Sequence, residues 1–252
     1  MDEKVSDFFI PDNRITLDEE LDYSRVDDFI SAADAFSRAT YQSVYIIDYY
    51  KQKFSYVSPN QILLSDLTPD RMKEIGYKFY LDYVPDDERA MLLEINRAGF
   101  SFYGDIPIEE RKKWYICYDF HVKNGEKWQL VTHKLAPMAL TSDGQVWLAL
   151  CVVSVSSHSS VGHVEMHRVG SPEYYEYNTD IRRWKKCIMP TLSPAEKDVL
   201  TLSMQGYTMA EIADKICLSA DSVKKYRQRI FEKLDVKNIA EAIMCASNNK
   251  LI

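Results

Sequence analysis

Apolar residues Tyr23, Val26, Phe29, Ile30, Ala33 and Phe36 recur at spacings of three and four, the period of one helical face. Past residue 40 the period changes. Residues 43–48 (SVYIID) and 53–58 (KFSYVS) are β-rich runs parted by a few polar residues, which predicts a hairpin. Helical segments follow: one opens at Asp66 or Thr68 with Pro69 just inside, another at Pro85 with Asp86, Asp87 and Glu88 in its first turn, where negative charge suits the helix dipole. Three strands are then predicted in succession. Residues 115–122 alternate Ile116, Tyr118, Phe120 and Val122 against Tyr115, Cys117, Asp119 and His121; the turn Lys123-Asn124-Gly125-Glu126 leads into 127–135, and Ser142-Asp143-Gly144 into 145–155. Beyond them, 162–168 and 173–177 flank Val169-Gly170-Ser171-Pro172 as an optional hairpin. The basic run Arg182-Arg183-Trp184-Lys185-Lys186 reads equally as a phosphate contact or as a solvated linker.

From Leu192 onward, start and stop signals mark four short helices. Ser193-Pro194-x-Glu196 is a capping box with Pro at the first helical position, and Gly206 closes that helix. Thr208-x-x-Glu211 caps the second helix, Ser219-x-x-Ser222 opens a third that runs to Leu234, and Asn238 opens the fourth. Helices this short are marginal alone and must share a core. Val199, Leu202, Ile212, Ala213, Ile216, Val223, Ile230, Leu234, Ala242 and Ile243 have the spacing to build it.

Composition and charge sharpen this division. The chain has 252 residues, 46% hydrophobic and 27% charged, with only 8 Gly and 9 Pro, which fits a folded chain with material for more than one core. Its net charge of −7 conceals a split: residues 1–180 carry −12 and residues 181–252 carry +5. Four zones result: an N-terminal helical cap (1–40), a mixed α/β domain (41–156), a linker with a possible hairpin (157–190) and a basic all-α domain (191–252). The acidic start lacks the basic and apolar regions of a secretion signal, and the longest apolar stretch, 146–155, is far short of a membrane span, so a cytoplasmic protein without a membrane partner is expected. Five cysteines with no C-x-x-C spacing fit a reducing compartment.

The third C-terminal helix carries the candidate chemistry. At 100° per residue, Val223, Ile230 and Leu234 share one side while Asp221, Lys224, Lys225, Gln228 and Glu232 cluster on another. From 219 to 234 there are five Lys+Arg against two Asp+Glu, on a helix narrow enough for the major groove of double-stranded DNA. Lys224, Lys225 and Gln228 can reach base edges, and Arg227, Arg229, Lys233 and the hydroxyls of Thr208 and Ser222 suit phosphates. A lone basic helix is ordinarily just wet; the preceding helix and the tight connection Cys217-Leu218-Ser219 make this one half of a helix-turn-helix.

The segment resembles the LuxR-type helix-turn-helix of bacterial transcription regulators, through Leu192-Ser193-Pro194-x-Glu196, Val199-Leu200, Gly206, Glu211-Ile212-Ala213, Leu218-Ser219, Ser222-Val223-Lys224, Ile230 and Lys233-Leu234-x-Val236. It departs from the family at Ser222, where Thr is usual, and at Tyr226, where His is usual. The resemblance implies a homodimer paired through the last helix, here the face of Ile239, Ala242, Ile243 and Ala246, with two recognition helices roughly 34–36 Å apart. Residues 41–156 resemble a PAS domain, a sensor module on a five-stranded antiparallel sheet. That resemblance rests on the order of two strands, helices and three strands, on Phe54-Ser55-Tyr56-Val57-Ser58-Pro59-Asn60, and on Val84-Pro85-Asp86-Asp87. The expected fold class is therefore α+β: a PAS-like five-stranded sheet with helices, then an all-α four-helix domain.

Other signals are weaker. Val44-Tyr45-Ile46-Ile47-Asp48 looks like the strand ending in a phospho-accepting Asp, without the rest of that fold. His163 and His167 are four apart but lack an evident third ligand, so no metal site is expected. The flavin-adduct motif G-x-N-C-R-F is missing, as is a haem-binding His between Pro85 and Phe102, so no cofactor is expected. Tyr45, Tyr56, Tyr77, Phe79, Tyr80, Tyr83, Phe100, Phe102, Tyr118 and Phe120 either fill the core or line a cavity for a small molecule, with filling favoured. No nucleophile elbow, phosphate loop or paired-carboxylate arrangement points to an enzyme. The expectation is a homodimeric, sequence-specific transcription regulator with a sensor domain. Its rivals are a quorum sensor for an acyl-lactone, whose usual Trp, Tyr and Asp set is not evident here, and a regulator whose acidic domain only recruits a partner protein.

Overall fold

The computed structural model describes residues 4–16, 21–64 and 66–252. Contacts divide the chain into two compact units, Met1–Cys187 and Ile188–Ile252. The first unit contains short 3-10 turns, α1 (Val26–Ala39), the hairpin β1 (Ser43–Asp48) and β2 (Lys53–Val57), and four helices: α2 (Gln61–Leu64), α3 (Pro69–Ile75), α4 (Lys78–Tyr83) and α5 (Asp86–Gly104). Then come the strands β3 (Trp114–Asn124), β4 (Lys127–Leu140), β5 (Val146–Val155), β6 (Gly162–Arg168), β7 (Glu173–Asn178) and β8 (Arg183–Ile188). The second unit is α6 (Pro194–Met204), α7 (Met209–Lys215), α8 (Ala220–Leu234) and α9 (Ile239–Asn248).

The sheet corrects the expected count: it has eight strands in the order β2-β1-β5-β4-β3-β6-β7-β8, not five. The pairings of β1 through β7 are antiparallel. The extra three strands occupy the zone expected to be a linker. β6 pairs β3 with Cys117 opposite Glu165, and β7 returns along β6. The basic run joins the sheet at its edge as β8: Trp184 packs its ring on Phe102 and Tyr177, and Lys186 pairs with Glu173 at 2.8 Å. Strand β4 also runs five residues past its expected end. Pro137, which cannot donate to a ladder, lies beyond the last paired residue of β3 and beside a register shift against β5, so no hydrogen bond is forfeited there.

Strand β1 is buried along its whole length because α1 packs on it and Tyr45 points at α4. Asp48 at its end is buried, accepting from Tyr23 Oη at 2.7 Å and from the Lys51 amide at 2.9 Å. That pairing makes it a structural carboxylate, unlike the exposed acceptor its strand resembles. The N-terminal zone docks rather than dangles: Asn96 of α5 donates to the Phe8 carbonyl at 3.0 Å, and Phe8 and Phe9 pack on Tyr77. Close packing of α5 on β3 depends on Gly99, where a Cβ would meet Ile116 Cδ1 at 2.9 Å. Of the ten aromatics weighed as core or cavity, Tyr45, Tyr77, Phe79, Tyr80, Phe100 and Phe120 are buried in the core. No helix among the described residues is long and apolar enough to cross a membrane.

Candidate functional site

In the C-terminal unit each helix start is built as its sequence prescribes. Ser193 accepts from the Glu196 amide while Glu196 accepts from the Ser193 amide at 2.7 Å, and Thr208 and Glu211 repeat the exchange. Ser219 caps α8 by accepting from the Ser222 amide, and Asn238 caps α9 by accepting from the Glu241 amide at 3.0 Å. Gly206, at φ +87°, ends α6 with the Tyr207 amide donating back to the Leu202 carbonyl. The turn between α7 and α8 uses a left-handed residue too, Cys217 at φ +53°, and the Leu218 amide returns to the Ala213 carbonyl at 2.9 Å. Val199, Leu200, Ile212, Val223 and Ile230 close the core beneath these turns.

This packing fixes which way α8 faces. Val223, Ile230 and Leu234 are buried, so Lys224, Lys225, Gln228 and Arg229 stand in solvent. Lys224 and Gln228 are four residues apart and Lys225 adjoins them, so three donors project from one exposed side. Arg227 is half-buried with its guanidinium 6.0 Å from the Phe231 ring, and Arg229 lies 5.9 Å from the Tyr226 ring. Such rings hold guanidinium groups near the surface without neutralising them.

Several residues expected at the DNA or subunit interface have partners within the domain. Lys233, expected to touch phosphate, spans back to α6: its Nζ donates to Glu196 Oε2 at 2.7 Å and to the Thr191 carbonyl at 3.1 Å. Burial works to raise the Glu196 carboxyl, but Lys233 and the Ser193 amide and hydroxyl outweigh it and hold that carboxyl below its ordinary range. Thr208 and Ser222 are likewise engaged, Thr208 Oγ1 with Glu211 at 2.7 Å and Ser222 Oγ with Ser219 Oγ at 2.9 Å. On α9, Ala242 and Ala246 are fully buried in this domain's own core, and Ile239 and Ile243 are half-buried against it. The apolar stripe expected at a subunit interface thus packs inward; the outward residues of α9 include Ala240 and Met244. Periodicity locates a stripe and does not say what covers it.

The sheet unit holds a different concentration of chemistry, deep between β1, β4 and α4. Tyr45 Oη lies 2.5 Å from Tyr80 Oη and 2.6 Å from His133 Nε2, and all three side chains are buried. Tyr118 packs its ring 4.8 Å from the imidazole, and a narrow cleft lined by Gly99, Phe100, Tyr103, Ile116, Tyr118 and Leu135 opens beside it. His133 Nδ1 is buried without a hydrogen-bond partner. Burial lowers the His133 pKa to about 3, so the ring is neutral, and burial pushes the hydroxyls of Tyr45, Tyr80 and Tyr118 up. The sequence places these residues on strands and a helix but cannot show that they meet, since they are up to 88 positions apart.

The family model described as "Bacterial regulatory proteins, luxR family" matches residues 190–246. No curated protein matches the chain. Among solved structures, the phage VqmA-DPO complex is 16% identical, with 90% of this chain and 89% of that chain covered at a TM-score of 0.32. A Vibrio cholerae VqmA dimer is 14% identical, covering 92% and 89%, at 0.31. A sensory box histidine kinase/response regulator from Burkholderia thailandensis E264 is 13% identical, covering 52% and 84%, at 0.33. Likenesses of that strength bear on neither fold nor function. The family match and the capped four-helix geometry coincide over the same stretch, and residues 190–246 are a LuxR-family helix-turn-helix DNA-binding domain.

Proposed function

We propose that the protein is a sequence-specific transcription regulator that reads duplex DNA through α8, acts as a homodimer, and carries a PAS-like sensor in its sheet unit. The observation that carries the DNA-reading role is the exposed trio Lys224, Lys225 and Gln228, turned outward by the burial of Val223 and Ile230. Lysine suits guanine edges and Gln suits adenine, while Arg227 and Arg229 at the flanks suit phosphates. Selection of bound duplexes from a random pool identifies the operator. On that operator Lys224→Ala is expected to weaken binding by about 1–3 kcal/mol with relaxed preference at one base pair. An unchanged binding curve removes Lys224 from the interface.

A homodimer on DNA requires a two-fold site with half-sites roughly 34–36 Å apart. The exposed Ala240 and Met244 of α9, with the half-buried Ile239 and Ile243, offer a surface for pairing there. The sensor reading is supported by the run β2-β1-β5-β4-β3, five antiparallel strands with α2 to α5 inserted between β2 and β3. It is supported as well by the His133 nitrogen left unpaired among phenols, a polar atom that a small hydrogen-bonding ligand would satisfy. In that mechanism the ligand shifts the population of DNA-competent states. Mass spectrometry of gently purified protein separates the readings: a stoichiometric small polar molecule supports sensing, an acyl-lactone favours the quorum-sensing rival, and repeated absence favours recruitment of a partner protein.

A further inference from the structure

The sequence pairs His163 with His167, but four residues along a strand span about 13 Å, too far for one ion. The structure gives His163 other neighbours. Asp119 of β3 is buried, at 1% exposure, and its Oδ1 accepts from Thr132 Oγ1 at 2.5 Å. Its other oxygen, Oδ2, meets Nδ1 of His158, which arrives on the loop after β5. The ring of His163 stacks on that of His158 with centroids 3.9 Å apart. His163 reaches this position at φ +45°, directly after Gly162 at φ +93°, which pairs with Asp119 in the sheet register. One donor atom from each of the three side chains lies within 4.8 Å of the others.

We propose that Asp119, His158 and His163 bind a first-row divalent transition-metal ion of the zinc class. Two imidazoles and one carboxylate are the donor set such ions prefer, whereas calcium and magnesium require oxygen cages. Donors around tetrahedral zinc sit roughly 3.3 Å apart, so small side-chain rotations bring the trio into range. Thr132 supplies the outer hydrogen bond that orients the ligating carboxylate. Both histidines are exposed, which gives the ion an entry, and Ser160 Oγ, 3.0 Å from His163 Nε2, or a water completes the set. The neighbouring trio Cys117, Glu165 and His167 lacks that access: Cys117 and His167 are buried, and His167 is held between the rings of Tyr115 and Tyr174. An ion at the first trio ties the loop leading into β6 to the floor of β3.

The test uses full-length protein stripped with a chelator and titrated with Co²⁺ and then Zn²⁺, followed by the cobalt visible band and by calorimetry. One equivalent bound per chain is expected, with affinity falling at least 10-fold in both His158→Gln and His163→Gln and about 10- to 100-fold in Thr132→Val. Cys117→Ser retains binding. Far-UV circular dichroism checks that each variant is folded; the two exposed histidines provide independent variants. No saturable binding below millimolar metal overturns the proposal, as does binding unaffected by His163→Gln. Loss in Cys117→Ser with retention in His163→Gln places the ion at the neighbouring trio and overturns it too.

Discussion

The two units of this protein keep their chemistry in opposite places. In the C-terminal domain the interior is aliphatic, with Glu196 its one buried ionisable group among the described residues, and the Lys, Arg and Gln side chains of interest face outward. In the sheet unit Asp48, Glu88, Asp119, His133 and His167 are all buried, and so is the cluster of Tyr45, Tyr80 and His133. Burying a polar group is unfavourable unless its bonds are remade. An interior of that kind makes folding stability answer to acid, whereas an exposed basic face answers mainly to ionic strength. The contrast predicts that one protein has two separable sensitivities.

The largest expected effect lies in the sheet unit. The folded His133 has its pKa lowered from 6.5 to about 3, so the unfolded chain binds a proton first as pH falls. Stability conferred by the neutral ring is full above about pH 6.5 and drains away towards pH 3, at about 1.4 kcal/mol per pH unit within that window. Chemical denaturation across this range, followed by tyrosine fluorescence, should show the slope, and His133→Phe should flatten it. If the slope persists in the variant, the acid response belongs to another buried group and the comparison loses its main support.

Next in size is the tie between α6 and α8. Glu196→Ala removes the partner of Lys233 and the reciprocal half of the Ser193 cap, and is expected to lower the stability of the C-terminal domain by about 2–3 kcal/mol. Because the folded Glu196 titrates below its ordinary range, its contribution is present above pH 4.5 and is lost as pH falls through that lowered value. Acidification should therefore loosen the sheet unit before the DNA-binding domain, giving two transitions in calorimetry. Lys233→Ala discriminates the two roles considered for this lysine: a drop in melting temperature with an unchanged salt slope of DNA binding fits the tie, and the reverse pattern fits a phosphate contact. The smallest effect is expected at the turn. Cys217→Gly relieves a left-handed backbone at φ +53° and should gain about 0.5–1 kcal/mol without altering DNA binding, read by thermal denaturation.

The same contrast explains what is legible without coordinates. Caps are local: Ser193, Thr208, Ser219 and Asn238 each act on an amide three residues away, so the helix-turn-helix is written in short stretches of chain. The strands β1 to β5 are legible through their alternation and their turns. Strand β8 is not, and β7 only as half of an optional hairpin, because both interleave Tyr175, Tyr177 and Trp184 with charged residues that look like linker. The inward face of α9 is ambiguous in sequence for a related reason, since Ala242 and Ala246 repeat at the same period whether they pack on their own domain or on another. Meetings across the sheet, such as Tyr45 with His133 or Asp119 with His158, depend on strand order, which no window of sequence contains.

The lysine near the carboxyl end of α8 has one more implication. Lys233 braces that helix against the opening turn of α6 through Glu196 and the Thr191 carbonyl, so a swivel or slide of α8 within its own domain would have to break both bonds. If α8 reads DNA as proposed, a tie that stays closed makes the four helices engage or leave the duplex as one piece, as a stylus is lifted or lowered without bending its tip.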